Sequence, residues 1–413
     1  MASTYLTRTL GTSTNVYKGT VSHWIKRSGL GSMGTFAAWN NGVSDTNRAY
    51  LNLYNDTIYF YDEANSVVIQ TNRLFRDTSA WYHIVVAWDT SQGTVADRIK
   101  IYVNGVQETS FATANYPSVN STLQFNTSGR TFGLGSYANS GAAAGFFDGS
   151  MANVEFVDGQ QLTPAYFGST DSTTGIWTPQ ASSTISSYGT NGFKLKMDTA
   201  TPGADTSGNT NTFTVGGGTP TLTQGSPSNV YAVFNSLSKN DAGTIVFSNG
   251  NLTVLHSGTD SRYASYSTIG ASSGKWYMEI KIDASSQPDV VVGVGSNVEE
   301  INRLGTYYGT STDPTSVGYF SGDGDKYING NATAYGSAYG TGDIISIAMD
   351  LDNSKLYFRK NNDAWNNSGD PTSGSTGTGA IALTADLTYF MGGSHATTTT
   401  RTSAYSGNFG EGF

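Results

Sequence analysis

Trp81-Tyr82-His83-Ile84-Val85-Val86-Ala87-Trp88 is a strong strand run, apolar but for His83, that stops at Asp89-Thr90. Its length, its β-branched and aromatic content and its turn-forming end predict a buried strand. A few residues on, Arg98-Ile99-Lys100-Ile101-Tyr102-Val103 alternates polar with apolar and meets Asn104-Gly105. Asn-Gly is the strongest short hairpin signal, because both positions of its two-residue turn need positive φ. Val106-Gln107 then begins the return strand.

Working outward, alternation recurs to both ends of the chain and helical periodicity is nearly absent. Asp343 to Asp350, the turn Leu351 to Ser354 and Lys355 to Asn361 repeat the hairpin device in the second half. Each half also has an earlier strand marked by tryptophan, Val21 to Lys26 around Trp24 and Trp276 to Ile282. Between the halves lies GGGTPTLTQGSPS, residues 216–228, with the composition of a linker. The reading is an all-β chain of two antiparallel sandwiches, 1–215 and 229–413, joined by 216–228.

Composition supports many short strands with polar turns. Only 13% of the 413 residues are charged, against 50 Gly and 25 Tyr, and Ser, Thr and Asn supply the missing polarity. Aromatic residues at 12% give enough apolar area for a core. The net charge is −9 and the 22 basic residues form no run, which argues against a nucleic-acid partner. With no cysteine, disulfides, thiol nucleophiles and Cys-type zinc sites are excluded. MASTYLTRTLG shows no signal-peptide apolar region, and no run approaches the roughly 18 apolar residues of a membrane span. The expectation is synthesis in a host cytoplasm without membrane insertion.

Two resemblances follow. Thr20 to Arg27, Trp81 to Val85, Ile101 to Gly105 and Phe147 to Val154 together resemble laminin-G-like, concanavalin-A-like jelly rolls of phage structural proteins. Phe156 to Gly168, Gly175-Ile176-Trp177 and Tyr188 to Phe193 look like the extension of the phage versions. Gly274 to Glu279, Val292-Gly293-Val294, Gly342 to Ile345, Asp350 to Asn361 and Asn408-Phe409-Gly410 resemble a SPRY domain, a second concanavalin-like sandwich. Such tandems are similar to tail-fibre and decoration proteins of marine and cyanobacterial phages. No tail adaptor is visible ahead of the first domain, so the resemblance implies recognition or decoration and not a position in the particle.

Glycosidases also use this fold, with two carboxylates about 5 Å apart for retention. The expected Glu-x-Asp-x-x-Glu or Glu-x-Asp-x-Glu pattern is absent. Glu279 and Asp283 share a strand face, while Asp350 and Asp352 flank a turn, where Asp caps its own backbone. The histidines at 23, 83, 256 and 395 form no local catalytic motif. Catalytic residues are therefore expected to be none.

Calcium is the one cofactor the loops admit, since hard cations take Asp, Asn and carbonyl oxygens. Asp158-Gly159, the stretch Asp198 to Asn211 with Asp205 and Asn209, and Gly322-Asp323-Gly324-Asp325 supply such groups. Asp205, Asp323 and Asp325 are the candidate ligands, set against the plainer reading of tight turns. Sugar binding needs an aromatic face beside amides. Trp39 with Asn40, Tyr307-Tyr308, Tyr335 and Tyr339, and Trp365 with Asn366 are the candidate loop pairs. Trp24, Trp81, Trp88 and Trp276 fall in strand patterns and are assigned to cores.

The expectation is a non-enzymatic phage virion surface protein, a homo-oligomer that binds a host-surface glycan or other receptor through loops. The alternative is a purely structural decoration protein contacting capsid, tail or fibre proteins. A polysaccharide depolymerase is the third class.

Overall fold

The computed structural model describes residues 3–40, 47–180, 184–198, 200–223, 225–237, 244–258, 263–285, 289–301, 307–310, 314–396, 401–410 and 412. The chain divides into two compact units, Met1–Val230 and Tyr231–Phe413. Both are antiparallel β-sandwiches, and the described residues include one α-helix, Val298–Ile301.

In the first unit an eight-stranded sheet runs in the order Phe111–Asn115, Val67–Thr71, Thr57–Asp62, Ala49–Tyr54, Met33–Trp39, Thr131–Leu134, Tyr5–Thr9, Thr214–Gly217. Facing it is a six-stranded sheet, Phe193–Leu195, Gly149–Asp158, Lys18–Arg27, Trp81–Asp89, Ile99–Val103, Val106–Gln107. The core between them is rich in phenylalanine. Phe36 meets Phe132 edge-on at 4.9 Å, and Phe193 meets Phe213 at 4.6 Å. Each such pair adds about 0.5–1.5 kcal/mol beyond area burial.

The hairpin at Asn104-Gly105 forms as the sequence predicts. Both residues hold positive φ, 49° and 81°, and Val103 pairs with Val106. Strand Trp81–Asp89 is buried at every position, which alternation alone does not give. The reason is a cover on its outward side. Ile84, Val86 and Trp88 enter the main core, while Val85 joins Val157, Leu162, Phe167 and Tyr188 in a second cluster built by the extension. Trp177 of that extension fills a slot between two glycines; a Cβ at Gly105 or at Gly168 would come within 2.7 Å of its ring.

The closing strand Thr214–Gly217 pairs with Tyr5–Thr9 and so reaches two residues into the stretch expected as linker. In the second unit a seven-stranded sheet has the order Thr244–Ser248, Thr253–Gly258, Arg401–Asn408, Lys275–Ser285, Ile344–Asp350, Lys355–Lys360, Ile381–Ala382. Its partner sheet runs Tyr263–Tyr266, Phe390–His395, Val290–Gly295, Val317–Phe320, Asp325–Ile328, Asn331–Ala334. The predicted turn Leu351 to Ser354 does join two paired strands, Asp350 lying opposite Lys355.

Candidate functional site

The outward face of the eight-stranded sheet carries a cluster of tyrosines. Strands Ala49–Tyr54 and Thr57–Asp62 are joined through Asn55 and Asp56, both at positive φ (48° and 67°), which turns a tight hairpin. Ala49, Leu51, Leu53, Ile58 and Phe60 point inward and are buried. Strand geometry then sends Tyr50, Asn52, Tyr54, Tyr59 and Tyr61 to the other face. Register sets Tyr50 opposite Tyr61 and Asn52 opposite Tyr59.

The rings touch one another across the hairpin. Tyr50 and Tyr61 lie 4.9 Å apart between centroids, Tyr54 and Tyr59 5.3 Å, and Tyr59 and Tyr61 6.0 Å. Tyr137, from the small hairpin Tyr137–Asn139 and Ala142–Ala144, adds a fifth ring 5.7 Å from Tyr50. Tyr54 is 45% exposed and the others are half-buried. Gly145, at φ 48°, leaves room for the Tyr137 ring; a Cβ there would fall inside it.

A polar end completes the face. Arg48 pairs with Glu63 at 3.2 Å, donates to Asn139 Oδ1 and to the Ala138 carbonyl at 3.0 Å, and lies 6.0 Å from the Tyr50 ring. Partial burial raises the phenol pKa values of Tyr50, Tyr59 and Tyr61, helped by neighbouring tyrosines at Tyr50 and Tyr59 and by the Glu63 charge at Tyr61. At neutral pH these groups keep their protons and can donate hydrogen bonds. The arrangement offers apolar ring faces edged by hydroxyls, a guanidinium and an amide.

Most of the aromatic residues expected on loops lie elsewhere. Trp39 ends the strand Met33–Trp39 at 2% exposure and packs with Ala37 and Ala138 beneath Tyr50. It supports the face and presents none of its own. Tyr308, Tyr335 and Tyr339 are buried in the second unit, Tyr308 donating to the Ser265 carbonyl at 3.0 Å and Tyr339 to the Tyr319 carbonyl at 2.6 Å. Tyr335 receives the Phe358 N–H at 3.2 Å. Trp39 and these three tyrosines are corrected from surface to core: apolar packing with Ala37 and Ala138 buries Trp39, and the tyrosines' hydroxyls close gaps in the sheet hydrogen bonding. Tyr307 is half-buried against Tyr327, Asn40 is exposed, and Trp365 and Asn366 are half-buried. The tyrosine face itself went unread, although Tyr50-x-Asn52-x-Tyr54 and Tyr59-x-Tyr61 mark it at period two.

Of the candidate cation ligands Asp205, Asp323 and Asp325, the first two are engaged with backbone. Asp205 accepts from the Lys194, Ser207 and Asn211 N–H groups at 2.7–2.9 Å, and Asp323 accepts from the Asp325 N–H at 2.9 Å. Asp158 accepts from the N–H groups of Thr14 and Asn191. Among the described residues no three His, Cys, Asp or Glu side chains gather where they could hold a metal.

One arrangement has the outline of a nucleophile and base. Ser22 Oγ lies 2.8 Å from His83 Nε2. Trp177 donates its indole N–H to His83 Nδ1 at 2.9 Å, so Nδ1 is the acceptor and Nε2 carries the proton. His83 therefore donates to Ser22 and has no lone pair with which to deprotonate it. Burial, then the nearby His23, pushes the His83 pKa down to about 3, and the residue is fully enclosed. Glu279 and Asp283, the carboxylates sharing a strand face, are taken up by Tyr277, Asn408 and Ser406.

Comparison with known proteins matches one stretch in each half. Residues 2–166 match the Concanavalin A-like lectin/glucanases superfamily (laminin G type), and residues 275–369 match the SPRY domain. The chain thus carries a laminin-G-type, concanavalin-A-like domain and a SPRY domain in tandem. A Ran-binding proteins 9/10 homolog from Drosophila melanogaster is 27% identical over 127 residues, 29% of this chain and 13% of that protein. Ran-binding protein 9 from Homo sapiens is 32% identical over 96 residues, 22% of this chain and 12% of that protein. The chain therefore matches less than a sixth of the length of these relatives. Among solved structures, the SPRY domain of human HERC1 is 16% identical with a TM-score of 0.32, covering 43% of this chain and 98% of its own. A heptameric SAP-like pentraxin from Limulus polyphemus is 18% identical with a TM-score of 0.30, covering 39% of this chain and 72% of its own.

Proposed function

We propose that the chain is a non-enzymatic recognition protein whose first sandwich binds a glycan on the tyrosine face. The observation that carries this is the outward-facing run of rings from exposed Tyr54 through half-buried Tyr59 and Tyr61 to Tyr50, with centroids 4.9–6.0 Å apart and Arg48 and Asn139 at one end. Aromatic faces bind the C–H side of a pyranose while fixed polar groups select its hydroxyls. A preformed sheet face also spares the ordering cost that mobile loops incur on binding. The setting proposed is the surface of a bacteriophage particle and the ligand a host-surface polysaccharide; the extension from Phe156 to Phe193 supports that setting. The second sandwich, similar to Ran-binding proteins over part of its length, favours protein partners, including other proteins of the particle.

A glycan array with the full chain tests this reading. The expected result is retention of at least one neutral or acidic oligosaccharide, lost in a Tyr54→Ala/Tyr59→Ala double variant that melts as the parent does. Array silence, or equal binding by the double variant, would remove it. Appearance of new reducing ends on incubation with the bound polysaccharide would point instead to a depolymerase.

A further inference from the structure

A second surface, on the outward side of the seven-stranded sheet, is independent of the tyrosine face. Five side chains form one hydrogen-bonded row across its strands. Asn408 donates to Glu279 Oε2 at 2.9 Å and the Tyr277 hydroxyl to Glu279 Oε1 at 2.6 Å. The Tyr277 oxygen also lies 3.0 Å from Ser346 Oγ, which accepts from Arg359 Nε at 3.3 Å. Arg359 then stacks on Trp365, its Cζ 4.9 Å from the indole ring, and Trp365 rests edge-on against Tyr357.

The guanidinium is held on one side only. Its Nε is bonded and its plane is backed by the indole, while neither terminal nitrogen meets a partner among the described residues. Arg27, Arg48, Arg73 and Arg76 each meet a carboxylate within the protein. Arg359 is half-buried, so it is ordered yet reachable. A pre-ordered planar fork with its outer N–H groups open matches a carboxylate bidentately. Beside it stands the Tyr277 ring, 47% exposed, with both Glu279 oxygens already accepting bonds on its far side.

We infer that Arg359, backed by Trp365 and fixed through Ser346, reads the carboxylate of a uronic acid residue in an acidic glycan, with the sugar ring laid on Tyr277. Tyr277 and Arg359 both reach the same Ser346 oxygen, at 3.0 and 3.3 Å, which sets ring and fork beside one another on one face of the sheet. Acidic peptide motifs are read by clusters of Arg, whereas this row presents one guanidinium beside one exposed ring. The exposed Tyr277 ring beside the fork suits the flat C–H face of a sugar.

The test titrates the full chain, by calorimetry and by tryptophan fluorescence, with oligogalacturonate, its methyl ester and hexaglutamate. Oligogalacturonate binding should quench fluorescence, and masking its carboxyls as esters should weaken it by about tenfold or more. Arg359→Lys keeps the charge but loses the fork, and it should weaken binding by a similar factor of about ten with an unchanged melting temperature. Tyr277→Ala should weaken both the acid and the ester. The inference is overturned if the parent does not bind oligogalacturonate, if the ester binds as well as the acid, or if Arg359→Lys titrates as the parent. Tighter binding of hexaglutamate than of oligogalacturonate would also overturn it, in favour of an acidic protein partner.

Discussion

Trp177 and His83, 94 positions apart, are joined by one N–H···N bond of 2.9 Å that ties the extension to the central strand of the first sandwich. The two ring planes are within 21° of parallel with centroids 6.0 Å apart, the rings lying side by side along that bond, and Trp24 stacks on the imidazole at 4.6 Å. The sheet face under the extension is therefore closed by a specific bond as well as by apolar contact.

Trp177→Phe keeps the ring and removes the donor. His83 Nδ1 is then left buried without a partner, a loss of about 1–3 kcal/mol. Urea unfolding of the first sandwich should shift accordingly, with the second unchanged. An unaltered midpoint would show that the bond contributes nothing.

His23, His83 and His256 are fully enclosed, and burial pushes each pKa down to about 3. In the unfolded chain they titrate near about 6.5. Between these values the unfolded state binds more protons, so stability is complete above about pH 6.5 and falls as pH drops below it. The slope approaches about 3 kcal/mol per pH unit for the first sandwich, with two such histidines, and about 1.4 for the second, with one. Burial raises the Asp62 and Asp158 carboxyls, which opposes the loss only at lower pH, where they take up protons. Denaturant midpoints measured from about pH 7.5 to 5 should fall in both units, more steeply in the first. A flat profile would contradict the burial of neutral imidazoles.

His23 has neither ring nitrogen bonded, and its ring lies 5.9 Å from Phe36 in the core. Replacing both unpaired polar atoms with hydrocarbon removes their desolvation cost. His23→Leu should raise stability at neutral pH by about 1–2 kcal/mol and halve the acid slope of the first sandwich. A lower melting temperature would show that shape, not polarity, decides at this position.

Asp56 turns the tyrosine hairpin and accepts from Arg27 Nη2 at 2.9 Å, the Gly31 N–H at 2.7 Å and Arg76 Nε at 2.9 Å. Desolvation would raise its pKa, but these donors prevail and lower it. Arg27 is itself buried, so Asp56→Asn strands a charge in the core and should cost about 3–5 kcal/mol. Loss of glycan binding together with that destabilisation is the expected outcome. Full stability would mean that the Phe75 and Gly31 carbonyls alone hold Arg27.

The architecture was legible because its signals are local: Trp81 to Trp88 as a buried strand, Asn104-Gly105 as a turn, and the hairpin around Leu351 to Ser354. The surface was not. Tyr335 and Tyr339 sit among Gly, Ser and Ala, a composition that reads as loop, yet the glycines are there to make room. A Cβ on Gly336 would strike the Tyr319 hydroxyl and the Asn366 amide. Trp39 beside Asn40 looked exposed, but the hairpin Tyr137–Asn139 and Ala142–Ala144 covers it from about a hundred residues away, as the 90-residue span from Arg48 to Ala138 illustrates. The tyrosine face needed the pairing of two strands and a third element, none of which period-two alternation specifies by itself.

The extension roofs the six-stranded sheet, while the larger sheet carries Tyr54 and Tyr59 on its outward side, away from the hydrophobic interior. Substitutions at those two outward positions would alter what is gripped while the residues beneath, Leu53, Ile58 and Phe60, go on holding the sheet. The hairpin behaves as an exchangeable print on a fixed plate, and new specificities can be cut into it without recasting the body.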